Sequence, residues 1–130
     1  MDSEIVLTFG GYTKIPSFFN VSHSGGIKVI IKNNQIILHT NWFFKRTFSI
    51  YDVKEVLYGK TAIFEIPFVG LKVNSNGKEI IHLITSGTKL FGLENDASDK
   101  LINIFKEKVP IRKIDDKIIT GKSLRKYLNN

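Results

Sequence analysis

The alternation of apolar and polar positions is clearest in the run IKVIIK-NN-QIILHT, residues 27–40. Two segments rich in β-branched residues flank Asn33-Asn34, and asparagine tolerates the positive φ that a two-residue type I′ turn needs. The spacing predicts a hairpin in which Ile31 faces Ile36, Val29 faces Leu38 and Lys28 faces His39. One face then carries Ile27, Val29, Ile31, Ile36 and Leu38, while the other mixes Lys28, Lys32, Gln35 and His39 with Ile30 and Ile37. Such a pair buries one face and leaves the other at least partly wet.

A second hairpin is predicted over GLKVNS-NG-KEIIHLIT, where Asn76-Gly77 is the strongest short-range hairpin signal. Val73 would oppose Ile80, and Lys72 would oppose Ile81. Between the hairpins, KRTFSI and VKEVLYGK alternate and predict two more strands. Upstream, IVLTFGGYTKIPSFFNVS predicts one or two strands, broken near Gly10-Gly11 and Pro16. After Gly92 the period changes. Asp96 can cap a helix, and Leu101, Ile102, Phe105 and Val109 follow at i, i+1, i+4 and i+8 until Pro110 stops it. An amphipathic helix over about 96–109 is expected. In the tail, Thr120 can cap a short helix whose Leu124, Tyr127 and Leu128 share a face.

These elements predict an α+β, mainly β domain: an antiparallel meander of about seven strands, as a sheet or partly open barrel, capped by a C-terminal helix. Residues 1–109 form the domain and 110–130 a basic C-terminal extension. The segments GIKVIIKNNQIILH, FSIYDVKEV, NSNGKEIIHLI and DASDKLINIFKEKV, in that order, resemble the pleckstrin-homology superfold, and within it bacterial PH-like and GRAM-like domains, over about residues 4–109. The resemblance implies a non-catalytic binding module whose sheet edge can take up a peptide as an added strand. It does not carry phosphoinositide binding with it. Members that bind inositol phosphates use a basic residue and then a Lys/Arg-x-Arg pair, whereas Lys28 and Lys32 stand alone here without arginine.

Composition narrows the chemistry. A chain of 130 residues fits one domain. The absence of cysteine excludes disulfides, thiolate zinc sites and cysteine nucleophiles. The net charge of +7 is uneven, with a balance of +3 over residues 1–109 and +4 over the last 21. The body is therefore only mildly basic, which argues against a nucleic-acid platform. Asp2 and Glu4 stand where a secretory signal would be basic, and no apolar stretch approaches the roughly 18–20 residues of a membrane span. A cytoplasmic protein is expected.

No constellation points to catalysis, a metal or a cofactor, and an enzyme is not expected. His23, His39 and His82 lie far apart and read as isolated surface or edge histidines. Ser22 and His23 are neighbours, so in a strand they point to opposite faces. Gly121-Lys122-Ser123 imitates the end of a phosphate loop, but Asp116 stands where its partner glycine belongs.

Two stretches carry binding expectations. In NWFFKR, residues 41–46, three consecutive aromatics cannot all face one core if the segment is a strand. Trp42, Phe43, Lys45 and Arg46 are therefore the candidate contacts with a protein or peptide partner. The alternative is peripheral association with anionic membranes through Lys28, Lys32, Lys45, Arg46 and the tail cations Lys122, Arg125 and Lys126, each worth about 1 kcal/mol near such a surface. Nucleic-acid binding ranks third. Sheet edges and the mixed face around Ile30 and Ile37 also permit a homodimer.

Overall fold

The computed structural model describes residues 4–15, 27–40, 45–62, 65–86, 96–115 and 121–128. Along these run β1 (Ile5–Phe9), β2 (Gly11–Ile15), β3 (Ile27–Lys32), β4 (Gln35–Thr40), β5 (Lys45–Ser49), β6 (Val53–Lys60), β7 (Pro67–Ser75), β8 (Lys78–Thr85), α1 (Asp96–Phe105) and β9 (Ile111–Lys113). Short 3-10 helices occupy Ile50–Asp52 and Gly121–Tyr127. Among the described residues the chain is mainly β with one α-helix, as the patterning predicts.

The strands form two sheets that do not close into a barrel. Sheet 1 has the order β1-β3-β4-β5 and sheet 2 the order β2-β8-β7-β6-β9. Only Gly10 separates β1 from β2, and its N–H donates to Thr85 O at 2.9 Å. One run of chain thus leaves sheet 1 and enters sheet 2. Nine strands are described where about seven were expected, because this run counts twice and because β9 is added.

Both asparagine hairpins form in the expected register. Ile31 pairs with Ile36 and Lys28 with His39, while Val73 pairs with Ile80 and Lys72 with Ile81. Asn33 and Asn34 take φ of 53° and 61°, Asn76 and Gly77 take 52° and 80°, as type I′ turns require. Ile27, Val29, Ile31, Ile36 and Leu38 are all buried on the inner face of sheet 1. They pack on Val56, Val69, Leu71, Val73 and Ile84 from sheet 2. Burying each such side chain stabilises the fold by roughly 1.5–3 kcal/mol before entropy is counted.

The helix is four residues shorter than expected. It ends at Phe105, the Val109 N–H still donates to Phe105 O at 3.2 Å, and Pro110 follows. Ala97, Leu101 and Phe105 enter the core between the sheets, and α1 lies against β1 and β7. The buried hydroxyls of Ser86 and Ser98 meet at 2.5 Å and tie the end of β8 to the first turns of α1.

The tail behaves differently from a basic extension. β9 pairs in parallel with β6, with Ile111 beside Val56, and the Ile114 N–H donates to Tyr58 O at 2.7 Å. Ile114 and Leu124 then cover the second face of sheet 2, packing with Ile15, Leu57, Phe68, Ile81 and Leu83. Tyr127 and Leu128 share that contact, as their common face predicts. The approach is close at Gly59, where a Cβ would stand 2.9 Å from Ile114 O and 3.0 Å from the Phe68 ring.

Candidate binding site

Each sheet has two ends, and the four differ. α1 packs against β1, the C-terminal 3-10 helix packs against β2, and β9 is only three residues long. Among the described residues β5 is the remaining end. It runs five residues with Lys45, Arg46 and Thr47 exposed. A terminal strand of this kind offers a row of backbone donors and acceptors to another chain.

Alternation sends the side chains of β5 two ways. Arg46 sits opposite Leu38 in the ladder and so points to the inner side with Phe48, while Lys45 sits opposite His39 on the outer side. At the inner side β5 passes over β8, and the Phe48 ring stacks on His82 with centroids 4.8 Å apart and planes 6° from parallel. Around this stack Lys14, Arg46, Asp52 and Asn74 line a cleft of about 240 Å³. Asp52 belongs to a capping box, in which its carboxylate accepts the Ser49 N–H at 3.2 Å and the Ser49 hydroxyl accepts the Tyr51 N–H at 3.1 Å.

His82 is not the surface or edge histidine that its isolation in sequence suggested. It is 3% exposed, and its Nδ1 shares a 2.7 Å hydrogen bond with the hydroxyl of buried Tyr12. Burial, reinforced by the Lys14 and Arg46 cations, lowers its pKa to about 4, so the ring is neutral at physiological pH. Burial likewise pushes the Tyr12 hydroxyl well above the usual phenol range, against a smaller opposing pull from Arg46. Both groups are thus fixed polar dipoles rather than charges. The signal was present in KEIIHLIT, where a period of two places His82 on the same face as Ile80 and Ile84.

The other expected residues fall in separate places. Trp42 and Phe43 lie outside the described residues. Lys28 and Lys32 are exposed on the outer face of sheet 1, where Lys32 Nζ stands 4.0 Å from Glu4 Oε2. Cross-strand register lines up Thr8, Lys28, His39 and Lys45 beside a second row of Val6, Ile30, Ile37 and Thr47. Arg125 and Lys126 are exposed on the C-terminal 3-10 helix, which covers the far face of sheet 2. Lys126 Nζ and the Arg112 guanidinium lie 5.4 and 5.6 Å from the Tyr127 ring centroid. The Lys122 side chain lies outside the described residues. The anionic-surface candidates therefore do not share one face: two sheets and a core separate Lys28 and Lys32 from Arg125 and Lys126.

A charge cluster that the sequence reading missed sits on the covered face of sheet 2. Lys72, 3% exposed, places its Nζ 3.5 Å from Glu79 Oε1 and 3.9 Å from Glu55 Oε1. Arg112 on β9 reaches Glu55 Oε2 at 3.0 Å, and Lys54 reaches Glu79 Oε2 at 3.6 Å. Each of the two carboxylates meets two of the three cations here, the company a buried charge requires, although Glu55 Oε1 accepts no hydrogen bond. Among the described residues no three His, Asp or Glu side chains converge as a metal site would need. No helix among them is long and apolar enough to cross a membrane.

Comparison of the chain with protein-family models, with curated proteins and with solved structures finds no match.

Proposed function

We propose that this chain is a non-catalytic binding module of pleckstrin-homology-like arrangement, cytoplasmic, that engages a protein or peptide partner by accepting an extended acidic segment along β5. The arrangement is supported by a first strand shared between two sheets, meander order thereafter and a helix entering the core between them. The observation that carries the function is β5 itself, a five-residue sheet end with Lys45, Arg46 and Thr47 exposed, of which Arg46 and Thr47 border a cleft also lined by Lys14. Backbone pairing along the edge supplies affinity, and the cations on either side of the strand select an acidic sequence.

The test is selection of binders from a random peptide library, followed by amide exchange on the complex. Selected peptides should be acidic and extended, and should slow exchange at the outward-facing amides of β5. Protection at α1 and β9 instead, with β5 unchanged, would refute the reading.

A second reading, association with anionic membranes, draws on the outer face of sheet 1. There the basic row of Lys28, His39 and Lys45 runs beside the apolar row of Val6, Ile30 and Ile37. Co-sedimentation with phosphatidylserine vesicles that fades with added salt supports it. No binding at low salt excludes it, and self-association through the same face would show as a dimer in sedimentation.

A further inference from the structure

Strand alternation makes three residues of the cleft anomalous. Lys14 shares the inner face of β2 with buried Tyr12, Arg46 shares that of β5 with Phe48, and His82 stands between Ile80 and Ile84 on β8. Register confirms the orientation, since Lys14 pairs with His82 and His82 with the core residue Leu71. On the inner face of a two-sheet domain these positions ask for apolar side chains. Instead three strands each place a nitrogen-bearing side chain at one opening between the sheets.

The geometry points to an oxyanion site: we propose that Lys14 and Arg46, above the Phe48–His82 floor, bind the carboxylate or phosphate group of a residue in the partner's extended segment. This deepens the strand-addition reading and rests on it for the class of partner. The cleft, of about 240 Å³, is large enough to take one acid group. Two cations, Lys14 and Arg46, and one carboxylate, Asp52, line the cleft. The cleft therefore keeps a positive field, felt at His82 and at Tyr12. A guanidinium offers the planar, forked donor set that matches both carboxylate and phosphate. His82, held neutral and tied to Tyr12 at Nδ1, adds a polar ring edge to the floor without adding charge.

A bound anion would reverse the field at His82, so its titration reports occupancy. The experiment is amide and imidazole NMR on the full chain, titrated in parallel with inorganic phosphate and with acetate. Saturable shifts are expected at Lys14, Arg46 and His82, together with a His82 pKa raised by about one unit. Saturation by phosphate alone assigns the site to a phosphorylated residue, and saturation by acetate as well assigns it to an ordinary acidic one. The double variant Lys14→Gln, Arg46→Gln should weaken binding about tenfold or more. Two results overturn the site: shifts that never saturate, or shifts spread equally over Lys28, Lys32 and Arg125. So does an unchanged titration in a double variant that instead forms oligomers, because the two cations would then only guard the edge of β5 against pairing. Failure of the two readings is separable. Phosphate saturating the cleft while no peptide protects β5 removes the strand-addition reading alone. Peptides that protect β5 equally in wild type and double variant remove the oxyanion site alone.

Discussion

The outer face of sheet 1 carries Lys28, Lys32, His39 and Lys45 exposed, whereas the corresponding face of sheet 2 lies under the C-terminal segment with Leu57, Phe68 and Ile81 fully buried. The same backbone geometry therefore serves two purposes. A sheet covered on one side keeps a surface for partners and tolerates single charges there. A sheet covered on both sides must give each enclosed charge an opposite partner. Lys28 and Lys72 illustrate the difference, since each occupies an interior strand of its sheet. The first stands exposed, and the second is enclosed by Glu55 and Glu79.

Urea denaturation of Lys72→Ala and Lys28→Ala puts the largest strain on this contrast. Removing Lys72 takes the shared cation from two largely buried carboxylates, leaving Arg112 to Glu55 and Lys54 to Glu79, and should cost about 3 kcal/mol. Removing Lys28 should change stability by no more than about 0.5 kcal/mol. Equal losses would mean that the two faces are not differently covered. Next comes the cover itself. Leu124 is fully buried against the second face of sheet 2, and Leu124→Ala should cost about 3 kcal/mol. A cost near zero would show the tail to be a detachable extension after all.

The layer shared by the two sheets responds to pH. His82 has its pKa lowered from the ordinary 6.5 to about 4, chiefly by burial. As pH falls, the unfolded chain takes up this proton before the folded chain does. The stabilisation is complete above about pH 6.5 and is lost progressively toward pH 4. The loss should reach about 3 kcal/mol. Melting curves of wild type and His82→Phe across this window isolate the contribution, because the carboxylates common to both cancel. Parallel curves would contradict it. The smallest effect is expected at Val6, 48% exposed on the outer face of sheet 1. Val6→Thr should shift stability by about 0.5 kcal/mol or less while weakening any adhesion of that face to anionic vesicles.

How far each region could be read in advance follows the same division. The β3–β4 hairpin was legible to the residue, because a one-sided sheet writes its burial as strict alternation and Asn33-Asn34 fixes its register. β9 was not. A three-residue strand that pairs in parallel with β6, far back in the chain, has no local signature, and Pro110 reads only as a stop. The cover over sheet 2 was visible as a shared face of Leu124, Tyr127 and Leu128, but not its destination. At the candidate site, Arg46 is named from its charge, whereas Lys14 draws no notice and His82 reads as a surface or edge histidine. Their inner-face placement follows from alternation, but it acquires meaning only once β5 is seen to cross β8. Trp42 and Phe43, the aromatic half of the expected site, fall outside the described residues.

The run through Gly10 also sets an order of events during synthesis. β1 finds its partner β3 soon after both have emerged, but β2 pairs only with β8, and Tyr12 waits 70 residues for His82. At roughly 5–20 residues per second, the second half of the first-made strand spends several seconds unpaired. The asparagine hairpins can close locally in that time, each on a loop of two residues. A strand that precedes both hairpins is thus paired only after both are made. The nascent protein is most open to mispairing in the interval before β8 arrives.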